Sequence, residues 1–296
     1  MPESTPCDIC QSRESTILIE MTNNMKLPHP LKIVKCSNCG LVFQNPRMTE
    51  QEYEYYYNAQ YYNRVIYLNL ASQRKYEYEN KYRLIEKYLS KRGKILDIGC
   101  ARGDFLKVGR DRGWEAYGIE VSKWAADCGR TTYNLDIRNI KLESVEEVWG
   151  KGFDAITLNH VAEHLHHPTA VFKMIFKILN DKGILLVDVP NELEGFMYNI
   201  VGNLGRKYIW YRSKEPTLHH TYFYTKDSLI KVLDKCGFKE IFNRTLNEDM
   251  LIRSKIIGGE AIKKYLFKIG GFFNQGPVIE ILAKKKECFH EVDIDT

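Results

Sequence analysis

Two closely spaced cysteine pairs are the first residues in the chain whose types and spacing define a chemistry. Cys7 and Cys10 form one C-x-x-C pair, and Cys36 and Cys39 form a second. Each pair can present two thiolates from one tight turn, and two such turns complete a tetrahedral zinc site. Because four thiolates leave no position for a catalytic water, we predict a structural Zn²⁺ in a small module over residues 1–48. The alternative is two unrelated cysteine pairs.

A second set of residues has the chemistry of nucleotide binding. Asp97 ends an apolar strand pattern, and Gly99, Ala101 and Gly103 follow it before a helical pattern begins. Such a turn lets a ligand approach the backbone, and the helix start offers unpaired N–H groups. Glu120 ends the next strand pattern, where an acid binds ribose hydroxyls. A G-x-G-x-x-G dinucleotide fingerprint is excluded, because Ala101 stands at its second glycine.

The elements that must position these residues alternate between strands and helices. Apolar strand patterns cover 94–98, 115–120, 135–138, 153–158, 184–189, 239–243 and 278–283, with helical patterns between most of them. Repeated βα units with continuous apolar strands predict an α/β fold with a sheet covered on both faces. We predict a zinc module over 1–48, a helical linker or lid over 49–92, and a sheet-based domain over 93–290. Within that domain we predict an insertion at 191–224 and a helical crossover at 245–275.

Several of these stretches together resemble a known enzyme family. The run ILDIGCARG at 95–103 resembles the first motif of class I S-adenosylmethionine (SAM)-dependent methyltransferases, and YGIE at 117–120 resembles their second motif. The stretch FDAITLNHVAEHL at 153–165 is similar to the fourth-strand motif with its Glu-His pair. The cysteine pairs followed by GLVFQNPR at 40–47 resemble a subgroup with an N-terminal zinc module. That subgroup includes sugar C-methyltransferases and enzymes of polysaccharide clusters.

The resemblance implies a Rossmann-like, mostly parallel seven-stranded sheet with helices on both faces, preceded by a small zinc ribbon. It makes 93–290 the catalytic methyltransferase domain and the insertion at 191–224 a segment that faces the substrate. It also implies SAM as the cofactor, with one set of residues around the methionine half and another around the ribose and adenine. The implied cofactor-binding residues are Asp97, Gly99, Ala101, Gly103, Glu120, Val121, Leu142 and Asn159.

Three histidines are candidates for the base that a hydroxyl or carbon nucleophile requires. His164 follows the fourth strand pattern, where we expect it to begin a helix, and His219 and His220 follow the fifth. Histidine accepts a proton readily near neutral pH. His220 matches the substrate-facing histidine of the family, so we place it first. The alternative for each is a buried structural histidine.

The acceptor is predicted less directly. We predict methyl transfer to a small polar acceptor, a hydroxyl or carbon of a sugar or nucleotide sugar. The basic, aromatic stretch 206–214 can clamp an anionic substrate that contains a ring, although the same mixture suits RNA. The stretch 251–273 can contact an anionic membrane or form a crossover helix. The rival hypotheses are a zinc-finger RNA methyltransferase and a SAM-binding scaffold without catalysis.

Composition limits the remaining classes. The 296 residues carry a formal net charge of +5, with 44% hydrophobic and 27% charged residues, as is ordinary for a globular protein. That charge is too small to indicate nucleic-acid binding. The first residues contain no apolar signal segment, and no apolar run is long enough to span a bilayer. We therefore predict a cytoplasmic protein without a transmembrane segment.

Overall fold

The computed structural model describes residues 4–21, 31–49, 51–52, 66–194, 220–246 and 276–287. The predictions for His219 and for the stretches 206–214 and 251–273 lie outside these residues. So do most of the predicted insertion at 191–224 and most of the predicted crossover at 245–275.

The described residues include eleven strands and six α-helices. The strands are β1 (Ser15–Met21), β2 (Leu31–Cys36), β3 (Val42–Gln44), β4 (Lys94–Ile98), β5 (Glu115–Ile119), β6 (Asp136–Arg138), β7 (Phe153–Asn159), β8 (Leu179–Pro190), β9 (Tyr222–Phe223), β10 (Phe238–Leu246) and β11 (Val278–Lys285). The helices are α1 (Ile66–Lys87), α2 (Asp104–Asp111), α3 (Lys123–Tyr133), α4 (Val145–Trp149), α5 (Pro168–Ile178) and α6 (Lys226–Lys235).

Seven strands form the central sheet, in the order β10-β11-β8-β7-β4-β5-β6. The strands from β8 to β6 pair in parallel, and β11 lies antiparallel between β8 and β10. Side chains of β4, β7 and β8 are almost completely buried, as expected where helices cover both faces of a parallel sheet. The described structure therefore has the mostly parallel seven-stranded sheet that the sequence predicted.

Two apolar clusters lie on the two faces of this sheet. One cluster contains Tyr82 of α1 and Phe105 of α2, whose rings stack with centroids 4.5 Å apart. The other contains Phe172 of α5 and Leu229 of α6. Because alternate strand residues point to opposite faces, Ile95 joins the first cluster and Leu96 the second. None of the helices in the described residues is long and apolar enough to cross a membrane.

The second sheet joins the N-terminal residues to the rest of the chain. Its order is β1-β2-β3-β9, and all its pairs are antiparallel. Its fourth strand, β9, follows β8 by more than thirty residues and pairs through Phe223 with Val42 and through Tyr222 with Phe43. The N-terminal sheet is thus completed by residues that we placed in the insertion at 191–224.

Two local expectations differ from the structure. The segment 180–183, expected as a turn, lies within β8 as an irregularity, because pairing with β7 runs from Phe153–Leu179 directly to Ala155–Ile184. His164 does not begin a helix, and this prediction was wrong. It ends a short 3-10 turn, Ala162–His164, and α5 starts only at Pro168, whose ring suits the first helical position.

Candidate active site and cysteine cluster

The loop between β4 and α2 requires backbone conformations that favour glycine. Gly99 has φ +71° and Gly103 has φ +77°, in the left-handed region. A Cβ atom on Gly103 would lie 2.7 Å from the side chains of both Ile137 and Leu135. Ala101 also has a positive φ of 49°, which costs about 1 kcal/mol for an L-residue. The loop is therefore held in a narrow turn with its backbone close to the carboxyl end of the sheet.

Glu120 ties this loop to the end of β5. Its carboxylate accepts hydrogen bonds from the backbone N–H of Ala101 at 2.9 Å and of Ser122 at 2.8 Å, and its side chain is buried. Glu120 thereby fastens the loop after β4 to the end of β5. Asn139, which sequence reasoning missed, donates at 2.7 Å to the carbonyl oxygens of Glu120 and Val121. Val121, the next residue after Glu120, is 74% exposed.

Leu142 lies beyond β6, at the first position of a short 3-10 turn that ends at Ser144. Its side chain is half-buried and packs against the second apolar cluster. Because β5 and β6 are parallel, Leu142 follows β6 on the same edge of the sheet as the end of β5.

Asp97 and Asn159 lie side by side at the ends of β4 and β7. Asp97 Oδ1 accepts hydrogen bonds from Thr157 Oγ1 at 2.6 Å and from Asn159 Nδ2 at 3.0 Å. Burial raises the pKa of the Asp97 carboxyl to about 7, although these hydrogen bonds and the charge of Lys81 oppose that rise. Near neutral pH this acid can therefore change its protonation state when a cation binds next to it.

A buried ion pair, not anticipated from the sequence, supports Asn159. The Lys81 ammonium of α1 contacts the Asp188 carboxylate of β8, and the two side chains are 3% and 0% exposed. Lys81 Nζ also donates to Asn159 Oδ1 at 3.3 Å. Since Asn159 accepts from Lys81 and donates to Asp97, its amide orientation is defined at both ends. The only sequence signal was a lysine among the helically spaced Tyr78, Tyr82 and Ile85.

Two candidate histidines, His164 and His220, meet beyond the end of β7. Their rings are 4.8 Å apart in an edge-to-face arrangement. His220 is 6% exposed, and its Nδ1 lies 3.0 Å from Glu192 Oε2. Burial opposes protonation of His220, but the carboxylates of Glu192 and Glu163 outweigh it and raise the pKa of the imidazole above its usual value.

Glu163 stands between these histidines and was not among the residues predicted from sequence. It is 2% exposed, and its Oε1 lies 3.8 Å from both His160 Nδ1 and His164 Nε2. Burial raises the pKa of the Glu163 carboxyl. One ligand atom from each of Glu163, His164 and His220 lies within 4.8 Å of the others, so this cluster can hold either a shared proton or a divalent cation.

The four predicted cysteines converge on one point. Cys7 Sγ lies 3.4 Å from Cys39 Sγ, Cys10 Sγ lies 3.5 Å from Cys36 Sγ, and all four sulfurs lie within 4.8 Å of one another. Tetrahedral zinc with Zn–S bonds of 2.3 Å separates its sulfurs by about 3.8 Å, so the cluster has the size and donor set of a Cys₄ zinc site. The presence of zinc stays a prediction that this geometry fits.

Comparison with known proteins assigns the family. A family model described as a methyltransferase domain matches residues 70–241, more than half of the chain. The chain therefore belongs to the methyltransferase-domain family. A solved SAM-dependent methyltransferase from Archaeoglobus fulgidus is similar with a TM-score of 0.53 at 18% identity, covering 75% of this chain and 100% of that chain. The predicted class I, Rossmann-like methyltransferase fold is thus confirmed.

Two similar curated proteins are both named ubiquinone biosynthesis O-methyltransferase. The one from Psychrobacter arcticus is 24% identical over 153 residues, covering 49% of this chain and 58% of the relative. The one from Idiomarina loihiensis is 21% identical over 154 residues, covering 50% of this chain and 62% of the relative. This chain therefore spans about three-fifths of the length of these relatives.

Proposed function

We propose that this protein transfers a methyl group from SAM to an oxygen atom of a small polar acceptor, with His220 as the general base. When bound, SAM supplies a methyl group on a positively charged sulfur, so the protein must align the acceptor and remove its proton. One observation carries the proposal: His220 and Glu192 form a pair at the same edge of the sheet as Asp97 and Glu120.

The proposed cofactor site uses two acids with different tasks. Glu120, which fastens the loop after β4 to the end of β5, would hold the ribose hydroxyls through its carboxylate. Asp97, with Gly99 and Gly103, would face the methionine half, whose ammonium group favours the ionised carboxylate. Asn159 would present its backbone beside the same half, while its side chain orients Asp97. Leu142 and Val121 would line the adenine.

The proposed base is oriented by its carboxylate partner. Glu192 accepts at Nδ1 of His220, which directs the lone pair of the neutral ring to Nε2. Nε2 would then take the proton of the acceptor hydroxyl as oxygen attacks the methyl group. The imidazolium that results is stabilised by Glu192 and by nearby Glu163. His164, beside His220, would contact the same acceptor.

For the acceptor, the names of the two curated relatives support an oxygen nucleophile. A sugar or nucleotide-sugar hydroxyl remains our finer proposal from the sequence, and neither of those two relatives is named for a sugar. Turnover is therefore measured as S-adenosylhomocysteine release with nucleotide sugars and with phenols, in separate reactions. Release with either class supports methyl transfer and identifies the acceptor class, and the product's methyl resonance in NMR distinguishes O-methylation from C-methylation.

The decisive variants are His220→Ala and His167→Ala. His220→Ala is expected to keep SAM affinity and to lower turnover about 10²–10⁴-fold, the usual contribution of a general base. His167, 72% exposed in its side chain, is the matched control and should change neither quantity. Unchanged turnover in His220→Ala removes His220 from this role. SAM binding without turnover on either acceptor class would support the scaffold hypothesis, and tight, salt-dependent RNA binding would support the RNA hypothesis.

A further inference from the structure

The segment that carries His220 is held by both the catalytic domain and the N-terminal sheet. On one side, the Thr221 N–H donates to the Glu163 carbonyl at 2.8 Å. On the other side, the Thr221 carbonyl accepts from the Gln44 N–H at 2.9 Å, and β9 continues this pairing along β3. The residue next to the proposed base is therefore hydrogen-bonded between the two parts of the protein.

Arg47 ties a second active-site loop to the same sheet. Its guanidinium lies 5.2 Å from the ring centroid of Tyr222 and 5.8 Å from that of Phe43. It donates to the His166 carbonyl, which also accepts from Tyr222 Oη at 3.3 Å. The loop that contains Glu163 and His164 is thus attached to the residues just after β3.

The cysteine turns are docked on the helices that follow these loops. The Asp8 carboxylate accepts from the Thr169 N–H at the start of α5 at 2.8 Å. From α6, Lys235 donates to the Ile9 carbonyl, and Lys231 Nζ lies 3.4 Å from the Cys39 carbonyl oxygen. Both C-x-x-C turns therefore contact the catalytic domain through residues inside or next to the turns.

The second cysteine turn also determines the position of β3. Cys36 ends β2, and its N–H donates to the Leu41 carbonyl at 2.9 Å, while the Gly40 N–H donates to the Cys36 carbonyl at 3.0 Å. Residues 37–41 are therefore the connection between β2 and β3. A metal bound by Cys36 and Cys39 would clamp this connection to the Cys7–Cys10 turn.

We propose that the N-terminal zinc module positions a residue of the active site. A metal bound by the four cysteines holds β3, and β3 in turn holds His220 in place beside Glu192 and His164. This inference rests on the proposed roles of the cysteines and of His220. Asp97 and Glu120, which are proposed to bind SAM, instead contact β7 and the segment after β5. Loss of the metal should therefore impair turnover while SAM binding persists.

The test uses the full chain with Cys39→Ser, Cys39→His and Cys128→Ser. Cys39→Ser is expected to lose the metal, to keep SAM affinity within about threefold, and to lose about 10²-fold in turnover, as a displacement near 1 Å would cause. Cys39→His keeps a Cys₃His ligand set and should recover metal content and turnover. Cys128, a free cysteine of α3, is the matched control and should change nothing.

Metal content is measured by mass spectrometry, SAM affinity by calorimetry, and the His220 environment by the imidazole resonances in NMR, assigned with His220→Ala. The His220 resonance should move in Cys39→Ser and return in Cys39→His. Metal-free Cys39→Ser with wild-type turnover and an unmoved resonance would overturn the inference and leave the proposed function standing. So would loss of SAM binding together with turnover, because the metal would then support the whole fold.

If wild type transfers no methyl group, the proposed function fails, and the resonance, metal content and SAM affinity still decide whether the module positions His220. Arg47→Met is the second variant, for the case in which Cys39→Ser does not fold. It should keep the metal and SAM binding, shift the His220 resonance and lower turnover. If Arg47→Met keeps the wild-type His220 resonance and turnover, the inference that the N-terminal module positions His220 is contradicted.

Discussion

Replacing Lys81 by Met tests the most deeply buried charge pair in the described structure. Lys81 is 3% exposed and Asp188 is 0% exposed, so the substitution leaves a carboxylate in the interior without the ammonium that contacts it. Removing one partner of a buried ion pair costs about 3–5 kcal/mol, because the other charge loses its compensation. At about 2–4 °C for each kcal/mol, the melting temperature should fall by about 6–20 °C.

Lys81→Met should also weaken SAM binding, because Asn159 loses the donor that orients its amide toward Asp97. A hydrogen bond of about 1 kcal/mol corresponds to a loss of about fivefold in affinity. Urea unfolding followed by circular dichroism gives the free energy of unfolding, and calorimetry gives the SAM dissociation constant.

Two controls accompany this variant. Lys81→Met/Asp188→Asn removes both charges and should recover most of the lost stability. Lys107→Met breaks an exposed pair with Asp111 and should cost only about 0.3–0.5 kcal/mol. The reasoning is refuted if Lys81→Met costs less than about 1 kcal/mol, or if the double variant is no more stable than the single one.

Three further predictions concern acids of the site. Burial raises the pKa of Asp97 to about 7, above the unfolded value of about 3.9, so its contribution to stability is full below about pH 4 and is lost as pH rises through about 7. Asp97→Asn should therefore raise the free energy of unfolding at pH 8 while weakening SAM binding; lower stability at pH 8 would contradict this. Glu120→Gln leaves one acceptor oxygen for two backbone N–H groups, so SAM should bind about 5–150-fold more weakly, from about 1–3 kcal/mol, and unchanged calorimetric affinity would disprove the role. Glu192→Gln removes the larger of the two carboxylate effects that raise the pKa of His220, so the acidic limb of the kcat/KM profile should move to lower pH and the plateau should fall. An unmoved limb would exclude His220 as the titrating base.

The sequence predicted those parts of the site that are built from neighbouring residues. Gly99 and Gly103 were recognisable because a tight turn between a strand and a helix needs left-handed backbone, which glycine adopts at little cost. Glu120 followed from the order of strand, turn, helix and strand. The two C-x-x-C turns indicated a metal site because each pair is complete within four residues. Parallel strands were predictable from short apolar runs, since both faces of such strands are buried.

Only the tertiary structure decided which residues meet across long stretches of chain. Lys81 and Asp188 are 107 residues apart, and Glu192 reaches His220 across 28 residues. Neither pair has a sequence spacing that marks it, because contact depends on how α1 and the loop after β8 fold back onto the carboxyl edge of the sheet. The same holds for β9, whose two aromatic residues suit a strand but do not show which strand they pair with. They become a strand because β3, near the start of the chain, offers unpaired backbone groups at the edge of the N-terminal sheet, and a buried backbone must be hydrogen-bonded.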